Sequence, residues 1–195
     1  MTELEKKLLL TKDEYDYLME RFGYESSLNT KPMVSQTNYY FDTDDLSMNR
    51  KNITCRIRLK DGKYKGTMKQ HSLDSDQSTE TDIKVRNGLD DNEFIDMGLK
   101  LQGALITDRF VILKDANCEV VLDKNEYLGH TDYELEIEYV PKYEKDAQAI
   151  YRVMLDILIR RKCFLAYKES YEQTPSVPSK SNRFFERMKK DGLNS

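Results

Sequence analysis

The sequence is poor in the residues that do most nucleophilic and cross-linking chemistry. His71 and His130 are its only histidines. Two rule out a His-rich metal site and argue against a Ser-His-Asp or Cys-His nucleophile. Cys55, Cys118 and Cys163 lie far apart with no paired spacing. That excludes a disulfide framework and a zinc site and points to a reducing compartment. No apolar run approaches the roughly 18 residues of a spanning helix, and the N-terminus carries no apolar leader, so a cytoplasmic protein without a membrane partner is expected. A Gly-rich G-x-x-x-x-G-K-[ST] loop is also missing, so any phosphate must be held by side chains. The net charge of −4 argues against a general nucleic-acid binder.

What the chain has in quantity is charge. Charged residues make up 34% and hydrophobic residues 38% of its 195 positions, yet 13 Tyr and 7 Phe are spread along it. That is enough for one domain over residues 1–195 with a substantial core, and there is no internal repeat or long linker. The pattern predicts a first strand, then a helix over 11–23 with Thr11 and Glu14 as capping pair and Gly23 as its stop. A strand at 35–43 precedes a short helix near 46–49. Two alternating runs, 52–60 and 63–70, flank Asp61–Gly62, a hairpin signal. Further strands are read at 77–86, 101–115, 117–129 (broken from Asn125 to Gly129) and 131–140. Helices are read at 90–99, 142–165 and 181–190, with a loop at 174–179. Eight strands joined mostly by hairpins, with helices at the ends, predict an α+β fold: a closed eight-stranded antiparallel β-barrel.

Alternation gives each strand one charged and one apolar face. The N-terminal run TELEKKLLL puts Glu3, Glu5 and Lys7 on one side and Leu4, Leu8 and Leu10 on the other. The charged faces continue with Arg56 and Arg58, with Lys65, Thr67 and Lys69, with Glu80 and Asp82, and with Asp132, Glu134, Glu136 and Glu138. Asp132 and Asp82 read as strand-end or surface charges. In a closed barrel one face must be the lumen, and a charged lumen is unfavourable unless its groups pair or hold ions. Glu-x-Glu on a strand aims two carboxylates the same way, about 7 Å apart, which suits Mg2+ or Mn2+. Arg-x-Arg on another wall offers planar forks for phosphate oxygens. Together they suit a polyanionic phosphate ester or anhydride.

These residues, in this order, resemble the CYTH superfamily, the triphosphate tunnel metalloenzymes. Glu3-x-Glu5-x-Lys7 matches its ExExK signature. QTNYYFDT (36–43) resembles its second-strand motif, CRIRLK (55–60) its R-x-R strand, and GTMK (66–69) its T-x-K strand. TET (79–81), TDRF (107–110), the block VVLDKNEYLGHTDYELEIEY (120–139) and the basic piece SKSNRF (179–184) follow in the family's order. The resemblance implies a hydrophilic tunnel and metal-dependent chemistry on triphosphates. It assigns Glu3, Glu5, Glu136 and Glu138 to one or two Mg2+ or Mn2+ ions, with Glu80, Asp123 and Glu134 as further acidic lining. Lys7, Arg56, Arg58, Lys69, Arg109, Lys180 and Arg183 would hold phosphates, and Glu5, Lys7 and Glu136 would carry the chemistry. One departure is Val121, where several members have a basic residue, leaving the phosphate site a cation short.

The expected activity is metal-assisted phosphoanhydride hydrolysis of a small polyanion, inorganic tripolyphosphate first, since no aromatic or Asn/Gln cluster is placed to recognise a base. Nucleoside or thiamine triphosphate hydrolysis, adenylate cyclisation and non-catalytic polyphosphate binding are the alternatives.

Overall fold

The computed structural model describes residues 4–26, 33–71, 78–160 and 177–192. Glu3, Cys163 and the C-terminal end of the expected helix 142–165 lie outside these. Strand β1 (Leu4–Leu10) leads into helix α1 (Lys12–Ser26). The capping pair forms: Thr11 N donates to Glu14 Oε2 (2.7 Å), and Glu14 N donates to Thr11 Oγ1 (3.3 Å). Gly23 does not stop the helix. It sits at an uncrowded position, and the helix runs on to Ser26. Then come β2 (Val34–Asp42), α2 (Ser47–Arg50), β3 (Ile53–Lys60), β4 (Lys63–His71), β5 (Ser78–Ile83) and α3 (Glu93–Asp96). The chain closes with β6 (Lys100–Lys114), β7 (Cys118–Tyr127), β8 (His130–Tyr139), a 3-10 turn (Pro141–Tyr143), α4 (Glu144–Arg160) and α5 (Lys180–Lys190).

Asp61 and Gly62 both take positive φ (50° and 71°), the two-residue turn that matches strand twist. The expected break in β7 comes later than Asn125. Asn125 is fully buried, accepts from Thr107 Oγ1 (2.8 Å) and donates to Asp132 (2.9 Å), so its side chain is satisfied inside the sheet. The chain turns at Leu128–Gly129 instead, both at positive φ.

All eight strands form one antiparallel sheet in the order β1-β8-β7-β6-β2-β3-β4-β5. The closed ring is corrected in one respect. Among the described residues the end strands β1 and β5 do not pair with each other. Glu5 and Lys7 of β1 and Glu80 of β5 nonetheless line one cavity with residues of the strands between them. Leu8 and Leu10 of β1 point outward, as expected, into a core with Leu18 of α1, Leu135 and Ile137 of β8, and Leu155 and Leu158 of α4. Phe41, Ile57, Ile83, Phe94 and Leu99 make a second core under α3. A third closes one end of the lumen: Phe184, Phe185 and Met188 of α5 pack on Tyr40, Leu105 and Tyr127. Gly103 makes room for this plug. It has φ 152°, and a Cβ there would stand 2.8 Å from Phe184 Cζ. Among the described residues no helix is long and apolar enough to cross a membrane.

Candidate active-site cavity

The sheet curls around a cavity of about 230 Å³, whose two walls differ in charge. On one wall the β1–β8 register sets Glu5 directly opposite Glu138 and Lys7 opposite Glu136. The β7–β8 register adds Glu119 opposite Glu138. Three carboxylates therefore stand in one row across β1, β8 and β7. Like charges directly opposite each other destabilise a sheet unless a cation is shared. Burial and the neighbouring Glu136 push the Glu138 carboxyl above its usual value, with Glu119 adding to the effect. Glu119 was missed in the sequence because Val121 interrupts the charged alternation of β7. It is tied to Lys114 at 3.0 Å.

Deeper in, the acids are already neutralised. Arg109 forks onto Asp123 (2.9 and 2.7 Å) and also reaches Glu136 (2.6 Å) and Glu138 (3.3 Å). Lys7 pairs with Glu5 (2.9 Å) and Glu136 (3.3 Å). Lys180, from α5, enters the Asp123–Glu134–Glu136 cluster, bonding Glu134 closely and reaching Asp123 at 2.9 Å and Glu136 at 3.1 Å. Burial opposes the charge on Lys180, Lys7 and Arg109, but these carboxylates outweigh it and raise all three. In turn, Lys180, Lys7 and Arg109 overcome the burial of Glu136 and hold it well below the carboxylate range.

The opposite wall is basic and poorly compensated. Arg56 donates weakly to Thr67 (3.4 Å), and its buried Nε has no partner. Arg58 donates to the Asn38 amide oxygen (3.0 Å). Burial, then Arg56 and Arg109, lower Arg58 to about 10. Lys69 reaches Glu80 at only 3.6 Å.

Of the expected site residues, Glu5, Lys7, Arg56, Arg58, Lys69, Glu80, Arg109, Glu136, Glu138 and Lys180 all line the cavity. Asp123 and Glu134 lie directly behind it, both fully buried. Arg183 is also set back, bonded to Asp132 (2.9 and 3.2 Å), Glu134 (2.8 Å) and the Pro178 carbonyl (2.7 Å). Asp132 is thus not a surface charge; it anchors α5. Its carboxyl is lowered because Arg183 and bonds from Tyr127 and Asn125 outweigh burial. Asp82 is exposed, as read. Of the uncharged lining residues, Gln36 lies in the QTNYYFDT run and Ser179 and Ser181 in SKSNRF, though none stands out there as a site residue, and Thr54 lies in no such motif. Thr54 and Ser181 share a hydrogen bond of 2.8 Å that joins β3 to α5.

A family model described as the CYTH domain matches residues 1–153. The chain belongs to the CYTH domain family. It is 31% identical over 156 residues to YjbK of Bacillus subtilis (strain 168), a protein with a provisional triphosphatase name, covering 73% of this chain and 80% of that one. Its fold is similar to a Bacillus halodurans protein provisionally described as an adenylate cyclase, with a TM-score of 0.62, 24% identity, and 94% and 97% of the two chains covered. HpAC1 from Hippeastrum, described as having a dominant triphosphatase activity, is similar in fold at a TM-score of 0.57 and 19% identity, over 83% of this chain and 87% of that one. The family match ends before α5, which nonetheless supplies Lys180 to the cavity of this CYTH protein.

Proposed function

We propose that this protein hydrolyses a phosphoanhydride bond of inorganic tripolyphosphate. The supporting observation is the opposition of two walls across one small cavity: Arg56 and Arg58 without carboxylate partners among the described residues, facing Glu5 and Glu138 set side by side. The name of the Bacillus subtilis relative agrees with a triphosphatase activity. A cavity of about 230 Å³ suits a short phosphate chain; pockets for larger organic ligands usually exceed about 300 Å³. Tyr40 lines it, but that ring is packed against Phe184 and Phe185 and is not free to stack on a base.

The donors fit a hard divalent cation: oxygen ligands only, in a like-charged row with one raised carboxyl. Glu5 and Glu138 would hold it, with Glu136 beside them; Glu3, which the resemblance to the family signature adds as a further ligand, lies outside the described residues. A bound Mg2+ or Mn2+ supplies charge neutralisation at the phosphate oxygens and a more acidic water. The chain's own residues do the rest. Arg56, Arg58 and Lys69 bind the phosphate oxygens and keep the chain in line for displacement. Water adds to the terminal phosphorus and gives up a proton, the P–O bond to the bridging oxygen breaks, and pyrophosphate leaves with the electron pair and takes up that proton through solvent. Lys7 and Arg109 stabilise the charge that gathers on the leaving group. Glu136, held ionised by three cations, keeps Lys7 and Arg109 aimed inward.

Phosphate release from tripolyphosphate, ATP and thiamine triphosphate, each with Mg2+, Mn2+ or EDTA, tests this. Release is expected to require metal, to be fastest with tripolyphosphate, and to fall at least about 100-fold in Glu5→Gln. Folded protein that binds tripolyphosphate but releases nothing under any condition would overturn the hydrolase reading. Faster release from ATP would overturn the choice of substrate.

A further inference from the structure

The basic wall does not stop at the cavity. On β3, Arg56, Arg58 and Lys60 share one face, and on β4 Lys63, Lys65 and Lys69 share it. The register sets Arg58 opposite Lys65 and, at the next position on the same face toward the hairpin tip, Lys60 opposite Lys63. Two successive pairs on this face therefore oppose cation to cation, an arrangement unfavourable to the hairpin itself. Compensation is slight. Lys65 reaches Asp82 at 3.4 Å, with both side chains largely in water. Lys60 and Lys63 take part in no ion pair among the described residues. The Asp61–Gly62 turn holds the outer rung in register.

The opposite end of the lumen is shut by α5. Its Phe184 lies against Gly103 and Tyr40, and Arg183 is locked to Asp132 and Glu134. A phosphate chain too long for the cavity has to continue through the mouth. From Arg58 to Lys60 is about 7 Å along the strand.

We propose that Lys60 and Lys63, continuing from Lys65, form an outer subsite for linear inorganic polyphosphate longer than three units, whose end occupies the cavity. This rests on the reading of the cavity as a phosphate site. Ammonium groups act as point charges and suit a uniform polyanion. The hairpin's tyrosine, Tyr64, belongs to the other face, where it lies against Gly88. Toward the hairpin tip the lysine face carries no Tyr, Phe or Trp to stack a base, which favours bare polyphosphate over an RNA 5′ end.

The test is isothermal titration of wild type and Lys60→Gln/Lys63→Gln with tripolyphosphate and with a longer linear polyphosphate. It is run in EDTA, and again in Mg2+ on the Glu5→Gln background to prevent turnover. Wild type is expected to bind the longer chain about tenfold more tightly than tripolyphosphate. The double variant is expected to lose that preference while keeping its tripolyphosphate affinity within about twofold. Equal affinity for both chains in wild type, or an unchanged preference in the variant, overturns the outer subsite and leaves the cavity reading standing. Equal weakening of both ligands overturns it as well, since the lysines would then act only through the general field. No binding of either chain by wild type removes the cavity reading and the subsite together. A 5′-triphosphorylated oligonucleotide that gains as much from the two lysines overturns the choice of ligand.

Discussion

Arg58 and Asp132 show opposite uses of a buried charge. The pKa of Arg58 is lowered to about 10 because burial, Arg56 and Arg109 all disfavour its charge. A base lowered in this way destabilises the folded state wherever it is protonated, and the penalty fades only as pH rises through that value. At neutral pH the penalty is complete. Arg58→Gln is therefore expected to raise the melting temperature of the unliganded protein by about 2–4 °C while raising KM for tripolyphosphate at least about tenfold. Calorimetry and steady-state kinetics on the same preparation check both. Asp132 is the reverse case. Its lowered carboxyl contributes stability above the ordinary aspartate value of about 3.9, and this is lost as pH falls through the folded value. Asp132→Asn is expected to lose about 2 kcal/mol at neutral pH. Its melting temperature should also fall less steeply below about pH 4 than that of wild type.

At the scale of elements, β5 and α5 are the parts on which the cavity depends. Gly66 of β4 faces the carbonyl oxygen of Ile83, 2.7 Å from where a Cβ would stand. Because that neighbour is backbone, Gly66→Ala has to push β5 away. The expected cost is about 1–3 kcal/mol, together with weaker tripolyphosphate binding, since Lys69 and Glu80 sit on the two strands involved. Helix α5 holds the inner acids in place. Lys180→Gln leaves Asp123, Glu134 and Glu136 short of one cation in a buried cluster and is expected to destabilise by about 3–5 kcal/mol. Adding Glu134→Gln should recover part of that loss, since the two side chains act as one unit. Urea denaturation of the single and double variants measures the coupling.

For the whole molecule, the fold and the ligand site draw on different charges. Lys7, Arg109 and Lys180 already neutralise the deep carboxylates, so EDTA is expected to leave the melting temperature nearly unchanged. Mg2+ with tripolyphosphate, at about 100 times its Kd, is expected to add about 2.7 kcal/mol. KM should rise between low and physiological salt, because the basic wall and its mouth are open to screening.

The sequence by itself determined the succession of strands along the chain, the capping pair of α1, the hairpin at Asp61–Gly62, and which side chains share a face, while the order of strands in the sheet came from the tertiary structure. Each follows from local chemistry: a period of two, a turn that needs positive φ, a side chain that caps its own helix. It also determined the residue types needed for cations and phosphates, because these recur at fixed spacings along single strands. Only the tertiary structure decided which charges are already paired. The carboxylates of Glu136 and Glu138 look alike in the chain, yet one is held down by three cations and the other raised by burial and its neighbours. Asp132 reads as a strand-end charge until Arg183, 51 residues away, folds back onto it. Glu119 joins the acid row only through the register of β7 on β8. Alternation sets the direction of a side chain, whereas its electrostatic state depends on groups that only folding brings near.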